Sequence, residues 1–183
     1  MIRSLLLIQS LAAADSNVSN PEHALRGTGI HIQTQDSPAP IPQQAERFEA
    51  VVLHVPSSEL KSYLHPRVKT PVLWWCDGPY PDTPPFQSEI EIDGMLCPQM
   101  SPAEYKWLLY LAVGHYRQRE QLLLKLEERK WIEQAKEIIC EIKHMNESEA
   151  YEFLRKQAMN ERKKIVDVAI SIVNVYRLLR KSK

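Results

Sequence analysis

The chain predicts an open, parallel α/β sheet over its first two thirds, then a long connecting helix, then a small bundle of three helices. Three observations predict this. Short apolar runs alternate with polar, Pro-rich stretches up to about residue 100. After Pro102 there is no further Pro and a single Gly, Gly114. The charge is also split. The 183 residues carry no formal net charge, yet residues 115–183 hold 16 Lys and Arg against 11 Asp and Glu, leaving residues 1–114 with a matching acidic excess. An acidic front and a basic rear predict two domains with different partners.

The elements follow in order. Apolar runs at 4–8, 30–33, 50–55, 71–75 and 94–97 are short and unbroken, the pattern of strands covered on both faces. Between them lie weaker helical segments at 21–26, 42–47 and 57–64. Residues 77–88 are too crowded with Pro for a regular helix. The first run has a second reading: Met1-Ile2-Arg3 ahead of SLLLIQSLAAA fits a short signal peptide cleaved near residues 12–14. A basic rear suited to the cytosol favours the strand. Cys76, Cys97 and Cys140 are widely spaced and odd in number, which suits a reducing compartment and a cytoplasmic protein. No run approaches the roughly 18 apolar residues that span a bilayer, so no membrane partner is expected.

Ser101 is placed to cap the long helix, with Pro102 at its first position and Glu104 three residues on. Tyr116, Leu122, Leu123 and Leu126, interrupted by Arg119, form a stripe like a short coiled-coil seam, which predicts a homodimer through this helix. Ile132, Ala135, Ile139 and Ile142 then recur as one buried face. That helix is expected to end near His144-Met145. Asn146 caps the next, with Glu149 as the capping-box acid. Ala150, Leu154 and Ala158 stack four apart, with Tyr151 and Met159 beside them. A third helix starts near Glu161 and buries Ile165, Val168, Ala169, Ile172, Tyr176 and Leu179. Three amphipathic helices joined by short turns bury their faces on one another. The expected division is 1–118, a coiled-coil linker at 119–128, and 129–183.

Five strands with crossover segments match a flavodoxin-like, doubly wound arrangement. Over residues 1–118 the spacing resembles a response-regulator receiver domain. That resemblance implies an acidic pair after strand one, an Asp ending strand three, a hydroxyl ending strand four and a Lys ending strand five. Those groups hold Mg²⁺, accept the phosphoryl group and bind it. At these places the chain has Gln9 and Ser10, then His54 (AVVLHVP), Cys76 and Cys97 (MLCP); Pro98, after the lysine place, persists. Gln9 and Ser10 bring no charge for Mg²⁺, and His54 forms no acyl phosphate. The half therefore reads as a pseudo-receiver whose input is a regulatory protein, a small ligand, redox state or nothing. In such a fold His54, Cys76 and Cys97 converge on one crevice. They are there as residues filling a decayed site, as three ligands of a zinc ion, or as a redox sensor.

Three stretches in the rear, RKWIEQAKEII at 129–139, SEAYEFLRKQAM at 148–159 and KKIVDVAISIV at 163–173, resemble an ANTAR domain of transcription antitermination regulators. The resemblance implies binding of paired hairpins with six-nucleotide loops in leader RNA, which keeps a terminator from forming. It implies RNA contacts at Lys136, Arg155, Lys156, Arg162, Lys163 and Lys164, with weaker candidates at Arg129 and Lys130. One departure is Glu137, where the family usually has Gly. Tyr151 and Trp131 are placed to stack a base, though core packing fits both better. Two other readings stay open: a DNA-binding regulator using a helix in the major groove, and a protein-interaction adaptor whose RNA contacts have lapsed. The apolar third helix speaks against the first, and Glu137 keeps the second open. No Gly-rich phosphate loop, catalytic triad or carboxylate pair stands out, so the chain reads as a non-enzyme that calls for no cofactor.

Overall fold

The computed structural model describes residues 2–10, 20–36, 39–41, 43–64, 68–78 and 92–181. The chain divides into two compact units, Met1–Gln118 and Arg119–Lys183.

The first unit is built on five parallel strands: β1 (Ser4–Gln9), β2 (His31–Asp36), β3 (Ala50–His54), β4 (Val72–Trp75) and β5 (Gly94–Leu96). Their order is β2-β1-β3-β4-β5, the flavodoxin-like order, with its switch point between β1 and β3. Register fixes the faces: Leu5 pairs with Ala50, Leu7 with Val52, and Gln9 with His54. Leu5 and Leu7 join Val52, Leu73, Trp75 and Leu96 on one face. Leu6 and Ile8 join Val51, Leu53 and Trp74 on the other. Residues 5–8 are wholly buried, and each such side chain stabilises the fold by roughly 1.5–3 kcal/mol. Residues 4–8 therefore form part of a central strand here; residues 12–14, the expected cleavage site of the other reading, lie outside the described residues.

Short helices cover the sheet. α1 (Pro21–Arg26) is capped by Asn20, whose side chain accepts from the Glu22 and His23 amides. Together with the front of α3 (Pro102–Lys143), it covers the Leu5/Leu7 face: Leu25, Tyr105, Leu109, Ala112 and Val113 are buried there. A 3-10 helix, Gln43–Arg47, and the single turn α2 (Leu60–Tyr63) cover the opposite face. Both are shorter than the expected 42–47 and 57–64, and Pro42 lies outside the described residues. The expectation of uniformly covered strands fails at β2, whose side chains are mostly exposed, because it is the edge strand beyond β1. Ser101 and Glu104 form the expected capping box: the Ser101 amide donates to Glu104 Oε2 at 2.6 Å, and the Glu104 amide to Ser101 Oγ at 3.4 Å.

The second unit holds the rear of α3 and two complete helices, α4 (Glu147–Glu161) and α5 (Ile165–Lys181). The expected first helix of a separate three-helix bundle is thus not a helix of its own. Nothing interrupts the chain between Pro102 and Lys143. Ala135, Ile138 and Ile139 from α3 share one core with Ala150, Leu154 and Ala158 from α4 and Val168, Ala169 and Val173 from α5. Four residues expected in this core are exposed: Ile142, Tyr151, Met159 and Leu179. Tyr151 and Met159 each follow a stripe residue by one position, about 100° around the helix. Ile142 and Leu179 lie in the last turns of their helices, past the last fully buried core residues. Of the expected seam, Tyr116 is buried at 8% exposure, while Leu122, Leu123 and Leu126 are 49–61% exposed. Among the described residues no helix is long and apolar enough to cross a membrane.

Candidate nucleic-acid interface

The C-terminal edge of the sheet brings together the residues at the receiver positions. Ser10 follows β1, and its amide donates to the His54 carbonyl at 3.2 Å. Both residues are buried. The His54 imidazole Nε2 pairs with Asp77 Oδ2. The other carboxylate oxygen of Asp77 accepts from the Trp75 indole at 2.7 Å. Among the described residues, the buried Ser10 Oγ and His54 Nδ1 lack a hydrogen-bond partner. Trp74 is anchored by its own indole N–H, which donates to the Val55 carbonyl at 2.9 Å.

Cys76 follows the last paired residue of β4, and its amide donates to the Leu96 carbonyl at 2.9 Å. Burial pushes its thiol above the usual cysteine range, and the nearby Cys97 and Asp77 act in the same sense. The Cys97 carbonyl accepts from the Tyr105 hydroxyl at 2.7 Å. Among the described residues no three His, Cys, Asp or Glu side chains are gathered so as to hold a metal ion. The His54 imidazole is engaged by a carboxylate. Sequence reasoning missed Asp77. It directly follows Cys76 and precedes Gly78, so it reads as turn punctuation rather than as a partner for His54.

Five of the six candidate cations of the second unit, all but Lys136, lie on α4 and on the turn after it. Asn146 caps α4 with a reciprocal box: the Glu149 amide donates to Asn146 Oδ1 at 2.9 Å, and the Asn146 amide to Glu149 Oε2 at 3.0 Å. The helix ends with Arg162 in the left-handed region at φ 55°. The Lys163 amide reaches back to the Ala158 carbonyl at 3.0 Å, and the Arg162 amide to Met159 at 3.3 Å, which is a Schellman closure. α4 thus runs through Glu161, and α5 begins at Ile165. Arg162, Lys163 and Lys164 occupy the turn between helices rather than the first turn of the third.

The six candidate cations differ in how they are held. Lys136 is the most constrained. Its ammonium lies 2.8 Å from Glu133 and 3.3 Å from Glu147, with a side chain only 12% exposed. The Glu133 carboxylate foremost, then Glu147, holds its pKa above the usual lysine range. Arg155 lies 3.4 Å from Glu152, and Lys163 lies 2.8 Å from Glu161. Lys156, Arg162 and Lys164 have no acidic partner among the described residues, and neither do Arg129 and Lys130. Glu149, Glu152, Phe153, Arg155, Lys156 and Met159 line a shallow groove of about 370 Å³, beside which the Lys143 ammonium sits 4.4 Å over the Phe153 ring. Tyr151 is 43% exposed and Met159 is 71% exposed, and Met159 lines the groove together with Lys156.

Residues 120–173 match the family model of the ANTAR domain. The match covers the rear of α3, all of α4 and the first half of α5. No curated protein matches the chain. An ANTAR domain is present in the C-terminal region, and the N-terminal unit is a parallel sheet with flanking helices consistent with a receiver-like fold. Domains of these kinds are regulatory rather than catalytic.

Proposed function

We propose that this chain is an RNA-binding antiterminator: its ANTAR domain grips paired stem-loops of a leader RNA and keeps the overlapping terminator from forming. One observation carries the reading, the ANTAR match over residues 120–173. The electrostatics agree with it. Lys156, Arg162 and Lys164 carry no acidic partner, so they neutralise phosphates without first breaking an ion pair. Arg155 and Lys163 give up exposed pairs worth about 0–1 kcal/mol. Lys136 serves best by fixing the start of α4 against α3, since its contacts to Glu133 and Glu147 bridge the two helices.

The sheet edge is the regulatory input, and it works without phosphorylation. Gln9, Ser10 and His54 offer neither a metal-binding acidic pair nor a carboxylate nucleophile, and His54 is tied to Asp77. Residues 119–128 are the coiled-coil linker, in which Leu122, Leu123 and Leu126 seal a homodimer that presents two ANTAR domains to two hairpins.

The test is binding of the full chain to an RNA with two six-nucleotide stem-loops, measured across a salt series. Lys156→Ala, Arg162→Gly and Lys164→Ala are each expected to weaken binding several-fold. Each should also shallow the salt slope by about one unit, because one phosphate fewer is neutralised. Arg162→Gly suits the comparison because glycine accepts the left-handed turn, so the helix end survives the substitution. Wild-type chain that prefers paired stem-loops no more than unstructured RNA of equal length would refute the reading.

A further inference from the structure

The rear of α3 and the second half of α5 enclose another cleft, of about 790 Å³, lined among others by Gln134, Glu137, Asn174, Tyr176, Arg177 and Arg180. The α5 residues of this cleft from Asn174 onward lie beyond the residues matched to the ANTAR family, 120–173.

Its two arginines are held by aromatic rings rather than by carboxylates. The Arg177 guanidinium lies 5.2 Å from the centre of the Trp131 ring, and its Nη2 donates to Gln134 Oε1 at 3.1 Å. The Arg180 guanidinium lies 5.2 Å from the centre of the Tyr176 ring. The Tyr176 hydroxyl in turn donates to Glu141 at 2.7 Å. Among the described residues neither arginine has an acidic ion-pair partner. Planar guanidinium groups laid on rings are stacking surfaces for an unpaired base. The Gln134 and Asn174 carboxamides both donate and accept, and the Glu137 carboxylate only accepts.

The two arginines of the cleft outnumber the Glu137 carboxylate on its wall, so the sign of the charge does not decide what enters; what Glu137 adds is a hydrogen-bond acceptor. A neutral base with an exocyclic amino group meets an acceptor for that amino group and a flat cation to stack on. We propose that this cleft takes one unpaired, amino-bearing base of an RNA loop (adenine, cytosine or guanine), stacked on the Arg177–Trp131 platform, with its amino group donating to Glu137. The inference rests on the RNA-binding reading above and gives the carboxylate at 137 a role: it exchanges phosphate affinity for base selection.

The experiment compares the full chain with its variants on two stem-loop RNAs of identical stems, one loop rich in adenine and cytosine, the other all uridine. Wild type is expected to favour the amino-bearing loop by about tenfold, the scale of one base-edge hydrogen-bonded pair. Glu137→Ala and Asn174→Ala are expected to erase most of that preference while binding to the uridine loop stays within about twofold. Arg177→Lys keeps the charge and loses the plane, so it is expected to weaken binding to the amino-bearing loop as much as Arg177→Ala does. Thermal melts of each variant show whether the helical unit is intact, and Glu137→Gln, which keeps the shape, supplies a second reading if Glu137→Ala melts early. If lysine at 177 restores full binding, or if Glu137→Ala binds both loops more tightly without changing their ratio, the site is an electrostatic one and base docking is refuted. If wild type binds stem-loops well with no loop preference, the cleft reading fails and antitermination stands. If wild type binds no stem-loop, the antitermination reading itself fails.

Discussion

Removing the Asp77 carboxylate should loosen the sheet edge far more than a loop substitution ordinarily does. Asp77 follows β4 and holds two side chains at once, the Trp75 indole through Oδ1 at 2.7 Å and the His54 imidazole through Oδ2. Trp75 is 1% exposed and His54 is 4% exposed, so neither nitrogen finds water once the carboxylate is gone. A hydrogen bond to a charged group is worth about 1.5–3 kcal/mol, and leaving the buried donor orphaned costs on the same scale. Two such hydrogen bonds give a ceiling of about 6 kcal/mol for Asp77→Ala. The Asp77 side chain is 19% exposed, so water already solvates part of it, and the expected loss sits near the lower end, about 3 kcal/mol. Asp77→Asn keeps one acceptor and should lose about half as much. Hydrogen exchange read by mass spectrometry localises the effect: amides of β3 and β4 should exchange roughly 100-fold faster in Asp77→Ala, at tenfold per 1.4 kcal/mol. Amides of α4 in the other unit serve as the internal control. A loss under about 0.5 kcal/mol, the scale of ordinary surface substitutions, would mean that the carboxylate is not what ties β3 to β4.

Two further outcomes follow from the same unit. The Glu49 carboxylate accepts the backbone amides of Arg3 and Ser4, and the Arg3 amide foremost holds its pKa below the usual glutamate range. Its contribution is therefore complete above the unfolded value of about 4.3 and lost as pH falls through the lower folded value, so melting curves of wild type and Glu49→Gln should differ at pH 6 and converge at strongly acidic pH; a constant gap would refute this. Ser10→Ala removes a buried hydroxyl with no partner among the described residues, so the melting temperature should hold or rise, whereas a clear fall would reveal a partner for Ser10 Oγ.

How much was legible in the sequence depended on whether an element's signal is local. Every strand was found to within a few residues because an unbroken apolar run admits little else in a parallel sheet. The Asn146 and Ser101 caps were legible because a capping box is written within four residues. What failed depended on neighbours in space. β2 is the exception: HIQTQD holds one apolar residue, so its exposure as the edge strand agrees with its own composition, which the expectation of uniform cover passed over. Ile142 and Leu179 carry the helical period of their stripes, but a period does not say where the partner helix stops. The His54–Asp77 pair was invisible because it joins residues 23 positions apart on adjacent strand ends, and because the expectation for that edge came from receiver chemistry, in which the acidic groups stand elsewhere.

The turn between α4 and α5 bears on function through its backbone. A Schellman closure requires its left-handed residue, and glycine takes that place at no steric cost. At the end of α3 the chain uses His144 at φ 52°, from a residue type that tolerates the region better than most. At the end of α4 it uses Arg162 at φ 55°, where a side chain with a Cβ costs about 1–2 kcal/mol. The two hydrogen bonds of the closure offset that cost, but glycine would keep both of them, and the Arg162 side chain is exposed and makes no ion pair among the described residues. On the RNA-binding reading, the Arg162 cation, followed at once by Lys163 and Lys164, is kept for a ligand outside the fold rather than for the turn. On stability alone, glycine at 162 should raise the melting temperature of the unit. On the RNA-binding reading, the same substitution should lower affinity for stem-loops. One variant moving the two quantities in opposite directions separates a residue kept for binding from one kept for folding.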